Sequence, residues 1–131
     1  MRVDPISLYD YEARAQQVLP HDYWDFIAGG SKDELTTQRN RTAFDAISLR
    51  PRFLRDVTER KLATTVLGTP VSFPVMLCPA GGHKLADPEG ECATARGAGM
   101  SNTLMMLSTS SHYSLEDVAQ AASGPLWFQL Y

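Results

Sequence analysis

The spacing of hydrophobic residues changes along the chain. Up to about residue 50 the apolar side chains recur at helical intervals, as between Leu8 and Val18, where Ser7 can cap the helix and Pro20 stops it. Beyond residue 74 the apolar residues stand in short, nearly unbroken runs that are separated by helical segments. The pattern therefore predicts helices first and an α/β arrangement afterwards.

Two further helices and a hairpin are predicted before the α/β part begins. The segment HDYWDFIAGG is helical in pattern, and we expect Gly29 and Gly30 to adopt the left-handed conformation that closes a helix. A third helix opens at Asp33 and carries ELTTQRNRTAFDAI. An irregular segment around Pro51 follows, and ATTVLGTPVSFP then predicts a small hairpin with its turn around Gly68, Thr69 and Pro70.

The last part of the chain alternates strands with helices. The apolar runs are PVMLCPAGG, TLMMLSTSS and PLWFQLY, and the helical segments between them are DPEGECATARGAGM and SLEDVAQAA. Continuous apolar runs that alternate with helices are typical of a parallel sheet covered by helices. We expect an α/β protein with helices over residues 1–50, a connecting segment and hairpin over 51–73, and three strands with two helices over 74–131.

Composition and charge narrow the classes of partner. The 12 basic and 15 acidic side chains give a net charge of -3 without a basic stripe, so no nucleic-acid partner is expected. No apolar run approaches the roughly 20 residues of a membrane-spanning helix, and no signal-peptide core is visible. We therefore expect no membrane partner and a cytoplasmic location. The cysteines lack CxxC spacing and the histidines are scattered, so no metal site is predicted.

Polar groups follow each of the three apolar runs. Gly81 and Gly82 follow the first run, Ser108 follows the second, and Gln129 and Tyr131 end the third. The carboxyl ends of parallel strands lie on one face of a sheet, where ligands bind in barrels and open sheets alike. Taken singly, each group could serve only a turn, a helix cap or a neighbouring strand. Together they offer backbone amides, a hydroxyl and a carboxamide, which suit a planar heterocycle.

Seven segments along the chain resemble one known family. In order they are DYWDFIAGG, RNRTAF, LRPRFLRDVT, LGTPVSFPVMLCPAG, DPEGECATAR, LSTSS and WFQLY. They are similar to the N-terminal part of the FMN-dependent α-hydroxy acid oxidases and dehydrogenases, the glycolate oxidase and lactate oxidase family. The resemblance implies a (β/α)8 TIM barrel, to which this chain would supply the N-terminal helices, the small hairpin and the first three strands. It also implies an FMN cofactor, a small L-2-hydroxy acid substrate and a homo-oligomer at full length.

The resemblance assigns cofactor contacts to the strand ends. The backbone of Pro79, Ala80 and Gly81 matches the first-strand loop that approaches the flavin ring. Ser108 matches the second-strand hydroxyl, and Gln129 matches the third-strand carboxamide, both of which face the polar edge of the ring in the family. These positions coincide with those that the strand-end pattern indicates.

The resemblance also implies substrate contacts and a missing part. Tyr131 matches the tyrosine that meets the substrate hydroxyl or the developing carbonyl oxygen. Phe26 stands where the family usually has a tyrosine that binds the substrate carboxylate, and Ser110 stands where glycolate oxidases have a tryptophan. The family's catalytic histidine, its arginine and a lysine lie in later segments, so we expect an N-terminal fragment that is inactive by itself. The alternative is a non-catalytic flavin-binding or self-associating partial barrel.

Overall fold

The computed structural model describes residues 4–131, and the chain divides into two compact units between Arg55 and Asp56. Among the described residues, no helix is both long and apolar enough to cross a membrane. The division into residues 1–50, 51–73 and 74–131 stays a prediction.

The first unit is helical, as predicted. It contains α1 (Leu8–Val18), α2 (His21–Ala28), α3 (Leu35–Thr42) and a 3-10 helix over Ala43–Ala46. The carboxylate of Asp10 accepts hydrogen bonds from the backbone N–H groups of Ser7 at 2.8 Å and Ile6 at 2.9 Å. These bonds satisfy two donors ahead of the first turn, and they explain why α1 begins where the sequence places it.

The end of α2 corrects one prediction. Gly29 has φ -74° and ψ 162°, so it is extended, and Gly30 also lacks a positive φ, so the predicted left-handed conformation is wrong for both. A Cβ at Gly29 would lie 2.5 Å from the carbonyl oxygen of Asp25. Glycine is therefore required here for a close approach to the last turn of α2. The left-handed conformation occurs instead at Glu34, directly before α3.

The second unit opens with the predicted hairpin. Strands β1 (Thr64–Val66) and β2 (Thr69–Val71) pair antiparallel. The two residues between them, Leu67 and Gly68, both have positive φ, at 44° and 82°. Thr69 and Pro70, which the sequence predicts in the turn, lie in β2 instead. A two-residue loop of this kind matches the right-handed twist of the flanking strands, which explains the tight connection.

Three extended segments then form the parallel part of the second unit. Strands β3 (Met105–Leu107) and β4 (Leu126–Phe128) pair in parallel, with Met105 opposite Leu126. The predicted first strand is reduced to a single parallel bridge between Leu77 and Met105. The spatial order is therefore the Leu77 segment, β3 and β4. The α/β class is confirmed, while the closed barrel stays a prediction.

Two helices cover these strands and supply the core. They are α4 (Gly90–Met100) and α5 (Leu115–Ala121). The hydroxyl of Ser114 accepts the N–H of Asp117 at 3.1 Å and so caps α5 as predicted. The buried cluster joins both helices to β3 through Ala95, Ala98, Met105, Leu107 and Val118. Packing of the helices on β3 therefore holds the strand ends in place.

Candidate functional site

The ends of β3 and β4 are joined by polar side chains. The backbone N–H of Gln129 donates to the carbonyl of Leu107 at 2.9 Å, which carries the pairing one residue beyond β4. The buried hydroxyl of Ser108 donates to Oε1 of Gln129 at 3.3 Å, and the N–H of Thr109 donates to the same oxygen at 3.3 Å. The two strand ends that the sequence marked therefore meet in one cluster.

These contacts fix the orientation of the Gln129 amide. Its oxygen accepts hydrogen bonds from Ser108 and Thr109 in the loop that follows β3, here called the β3 loop. Its nitrogen has no hydrogen-bond partner among residues 4–131. The Ser108 oxygen is itself occupied, because it accepts the N–H of Ser110 at 3.1 Å. The free donor at this point of the site is therefore the amide of Gln129, and Ser108 holds that amide in its orientation.

The loop after the Leu77 segment lies close against the β3 loop. A Cβ at Gly81 would lie 2.8 Å from Cβ of Ser110 and 3.6 Å from the hydroxyl oxygen of Ser108. The backbone N–H groups of Ala80 and Gly81 donate to no other residue in the described part of the chain. Pro79, which precedes them, has no N–H. Two unpaired backbone donors thus stand beside the Ser108 and Gln129 cluster.

Glu91, in the first turn of α4, is a site residue that sequence reasoning missed. The pattern favours an acidic residue there, because the positive end of the helix dipole attracts a carboxylate, and such a residue is normally exposed. Glu91 is instead fully buried, and one of its oxygens accepts the backbone N–H groups of His83 and His112. Only three-dimensional packing reveals this role, so no local signal in the sequence could have found it.

The two predicted substrate residues are not joined to this cluster. Tyr131 is 93% exposed and makes no hydrogen bond within the described part of the chain. Phe26 lies on α2 in the first unit and is 75% exposed. Their roles stay predictions. No group of three or more metal-ligating side chains occurs among the described residues.

Comparison with known proteins identifies the family. A family model described as FMN-dependent dehydrogenase matches residues 15–131. The chain belongs to the FMN-dependent dehydrogenase family. A peroxisomal (S)-2-hydroxy-acid oxidase from Oryza sativa subsp. indica is 44% identical over 127 residues, which are 97% of this chain and 35% of that protein. Glycolate oxidase from Spinacia oleracea is 46% identical over 125 residues, which are 95% of this chain and 34% of that protein.

Solved structures agree with this FMN-dependent dehydrogenase assignment. A lactate oxidase from Pediococcus acidilactici superposes with a TM-score of 0.92 at 37% identity, over 100% of this chain and 37% of that chain. A soluble mutant of the membrane-associated (S)-mandelate dehydrogenase from Pseudomonas putida superposes with a TM-score of 0.92 at 38% identity, over 98% of this chain and 37% of that chain. The chain therefore spans about 35% of the length of the relatives it matches.

The residues present fit the flavin that members of the FMN-dependent dehydrogenase family use. Gly81 has no side chain and its Cβ position is taken up by Ser110, so its backbone lies close against the β3 loop that carries Ser108. The free donors of Ala80, Gly81 and Gln129 suit a heterocycle whose polar edge carries acceptors. When bound, FMN supplies the electron-accepting chemistry of the family.

The comparisons overturn the predicted location. The cytoplasmic prediction is wrong, because the rice relative is a peroxisomal oxidase and the Pseudomonas putida neighbour is membrane-associated. Peroxisomal addresses are short segments read by a receptor, so overall composition carries no information on them. The expected absence of a membrane partner stays a prediction.

Proposed function

We propose that this chain forms the first part of the flavin site of an FMN-dependent enzyme that oxidises a small L-2-hydroxy acid to a 2-oxo acid. The observation that carries the proposal is the meeting of strand ends, in which Ser108 and Thr109 orient the amide of Gln129 beside the Gly81 loop. Membership of the FMN-dependent dehydrogenase family supports the choice of ligand. The (S)-2-hydroxy-acid oxidase and glycolate oxidase relatives support the choice of substrate class.

Each residue has a binding or orienting role in this proposal. The backbone of Pro79, Ala80 and Gly81 lies along the flavin ring, and the two N–H groups donate to its polar atoms. The amide nitrogen of Gln129 donates to the polar edge of the ring, while Ser108 keeps the amide from rotating. These groups hold and orient the cofactor without exchanging protons at neutral pH.

The substrate contacts extend the proposal to two further residues. Tyr131 would donate its hydroxyl to the substrate oxygen, by its match to the family. Phe26 would offer a ring without a donor where a tyrosine is usual, so the substrate carboxylate loses one hydrogen bond there. The histidine base and the arginine that the resemblance implies lie outside this chain. The isolated chain is therefore expected to be inactive, and homo-oligomerisation at full length stays a prediction.

One observation favours self-association as a second candidate. Strand β4 pairs with β3 alone among the described residues, and the side chains of Phe128 and Leu130 are exposed beside that edge. An uncovered apolar edge strand invites pairing with another chain. Copies of a partial barrel could cover one another in this way, although three strands do not divide the eight of a barrel.

A chimeric enzyme tests the proposed function. This chain would replace the corresponding N-terminal segment of the spinach glycolate oxidase, to which it is 46% identical over 125 residues. We expect the purified chimera to carry FMN and to oxidise a small 2-hydroxy acid, with glycolate, lactate and mandelate as probes. Gln129→Leu should weaken FMN binding about 2- to 13-fold, since it removes a hydrogen bond that contributes about 0.5–1.5 kcal/mol.

A matched variant controls for the loss of a glutamine. Gln120 lies on the exposed side of α5, so Gln120→Leu should leave the dissociation constant of FMN unchanged. A folded chimera that binds no FMN would overturn the proposal. Equal dissociation constants of FMN for Gln129→Leu and Gln120→Leu would show that Gln129 does not bind the flavin. The isolated chain should show no turnover with any of the three acids. Concentration-dependent oligomers without flavin binding would favour self-association.

A further inference from the structure

Glu91 is the most deeply buried charged side chain near the strand ends. It is the second residue of α4, and 0% of its surface is exposed. A buried carboxylate is unfavourable unless it is hydrogen-bonded, so such a position requires a structural reason. Its neighbour Glu89, by contrast, is exposed and pairs with Arg96 at 2.7 Å. The burial of Glu91 is therefore a property of its position and not of this helix end in general.

One oxygen of Glu91 joins two different loops. Its Oε1 accepts the backbone N–H of His83 at 3.3 Å and that of His112 at 3.4 Å. His83 begins a short 3-10 helix (His83–Leu85) in the connection after the Leu77 segment, and His112 lies in the loop after β3. The imidazole Nδ1 of His112 also stands 3.9 Å from the same oxygen. A single acceptor thus connects the two loops that carry Gly81 and Ser108.

The link between the two loops is the main role of the Glu91 side chain. Its Oε2 is buried and has no hydrogen-bond partner among residues 4–131. Both hydrogen bonds of the carboxylate therefore go through Oε1, and both come from backbone donors outside α4. The side chain contributes nothing to capping its own helix through these contacts.

We propose that Glu91 is a positioning residue that ties the two loops together and so sets the shape of the flavin-facing surface. The close contact between Gly81 and Ser110 depends on the separation of the two loops, because a Cβ at Gly81 would lie 2.8 Å from Cβ of Ser110. If the loops separate, the backbone donors of Ala80 and Gly81 move away from the amide of Gln129. The effect on flavin rests on the proposed function, whereas the tie between the loops rests on the hydrogen bonds alone.

Hydrogen exchange on the 131-residue chain tests the tie directly. Glu91→Leu keeps the size of the side chain and removes the acceptor, so the amides of His83 and His112 should both exchange about 10-fold faster or more. Glu91→Gln keeps an oxygen in the same place and should restore exchange to within about 3-fold of the original rate. Glu89→Leu is the matched control and should change neither amide.

A second variant covers the case in which Glu91→Leu does not fold. Glu91→Asp keeps the carboxyl group and withdraws its oxygens by one methylene, so the amides of His83 and His112 should again exchange faster. Protection of the core amides of Leu107 and Val118 reports that each variant is folded. Unchanged exchange at His83 and His112, or loosening of only one of the two loops, would overturn the tie.

The consequence for flavin is measured separately in the spinach chimera. Glu91→Leu should raise the dissociation constant of FMN about 10-fold or more, and Glu91→Gln should restore it to within about 3-fold. Leucine keeps the approximate size of the side chain without an acceptor, and glutamine keeps both, so the acceptor itself is tested by the exchange of the His83 and His112 amides measured beside FMN binding. If the loops loosen while FMN binding is unchanged, the link between Glu91 and the flavin site is wrong. If the unsubstituted chimera binds no FMN, the proposed function fails, and the exchange rates still decide whether the tie exists.

Discussion

The two units of the chain bury their apolar side chains to very different extents. No residue of α1, α2 or α3 is buried, and Leu8 on α1 is 84% exposed. In the second unit Leu107 is 1% exposed and Val118 is fully buried. Both units have helices with apolar faces, so helix pattern alone does not produce a core. In the second unit α4 and α5 fold back onto neighbouring strands, and each strand-helix pair supplies both sides of its own core.

The first unit is held by polar contacts instead. The guanidinium of Arg41 donates to both carboxylate oxygens of Glu12 at 2.6 Å, and it stands 5.4 Å from the ring centre of Tyr9. These contacts connect α3 with α1. Because the ion pair is partly exposed, water and salt screen it, and such pairs contribute little to stability. Most of the stability of the chain therefore comes from the second unit.

The largest expected difference between the two units is the loss of unfolding free energy when a leucine is replaced by alanine. Leu107→Ala removes a buried side chain from the cluster between β3 and the helices, and it should lower the free energy of unfolding by about 2–5 kcal/mol. Leu8→Ala removes an exposed side chain from α1 and should change it by no more than about 0.5 kcal/mol. Urea unfolding followed by circular dichroism measures both. Similar losses for the two variants would contradict the assignment of stability to the second unit.

Two glycines of α4 give a smaller test of close packing in the second unit. A Cβ at Gly99 would contact the side chain of Ser123 and lie 2.9 Å from the backbone nitrogen of Gly124. Gly99→Ala should therefore lower the free energy of unfolding by about 1–3 kcal/mol through overpacking. At Gly97 no atom lies within 4 Å of the added Cβ, so Gly97→Ala should raise it by about 0.4–1 kcal/mol.

The residues that crowd Gly99 and Gly29 show a further difference between the two units. The atoms that crowd Gly99 belong to the segment before β4, far away in sequence, whereas those that crowd Gly29 belong to Asp25 and Glu34 nearby. Thermal unfolding of the two α4 variants, compared with the original chain, gives the sign of each effect. A stabilising Gly99→Ala would mean that α4 does not pack tightly against that segment.

The elements that the sequence predicts well are those fixed by local chemistry. Ser7 and Pro20 bracket α1, and Gly68 marks the hairpin, because each signal acts over a few residues, although the turn itself begins at Leu67 and not at Gly68. The parallel order of the strands also follows from the alternation of apolar runs and helices. The reduction of the first strand to one bridge at Leu77 could not be predicted, since the number of bridges depends on how the segment lies against β3.

The candidate site shows the same limit. Its positions at the strand ends follow from the rule that ligands bind at the carboxyl ends of parallel strands. Which atom remains free does not follow from that rule. The amide nitrogen of Gln129 is available because Ser108 and Thr109 occupy its oxygen, and Glu91 matters because two distant loops reach it. Both facts depend on contacts between residues far apart in sequence.

The smallest expected effect is a pH dependence confined to the start of α1. The N–H groups of Ser7 and Ile6, together with the Ser7 hydroxyl, hold the pKa of Asp10 below its ordinary value of 3.8. A carboxyl with a lowered pKa stabilises the folded form above that ordinary value, and the contribution is lost as the pH falls through the folded pKa. NMR titration between about pH 5 and pH 2 should show the amides of the first turn losing protection as Asp10 takes up its proton.

A matched substitution separates this effect from general acid unfolding. Asp10→Asn removes the titrating group, so the first turn of α1 should be less protected at pH 5 and should no longer respond to acid there. The backbone N–H of Leu107 offers a reference in the second unit, because Leu107 is 1% exposed in the core and its side chain does not titrate. If protection at Leu107 falls together with that of the first turn of α1, the acid response belongs to the whole chain and not to Asp10.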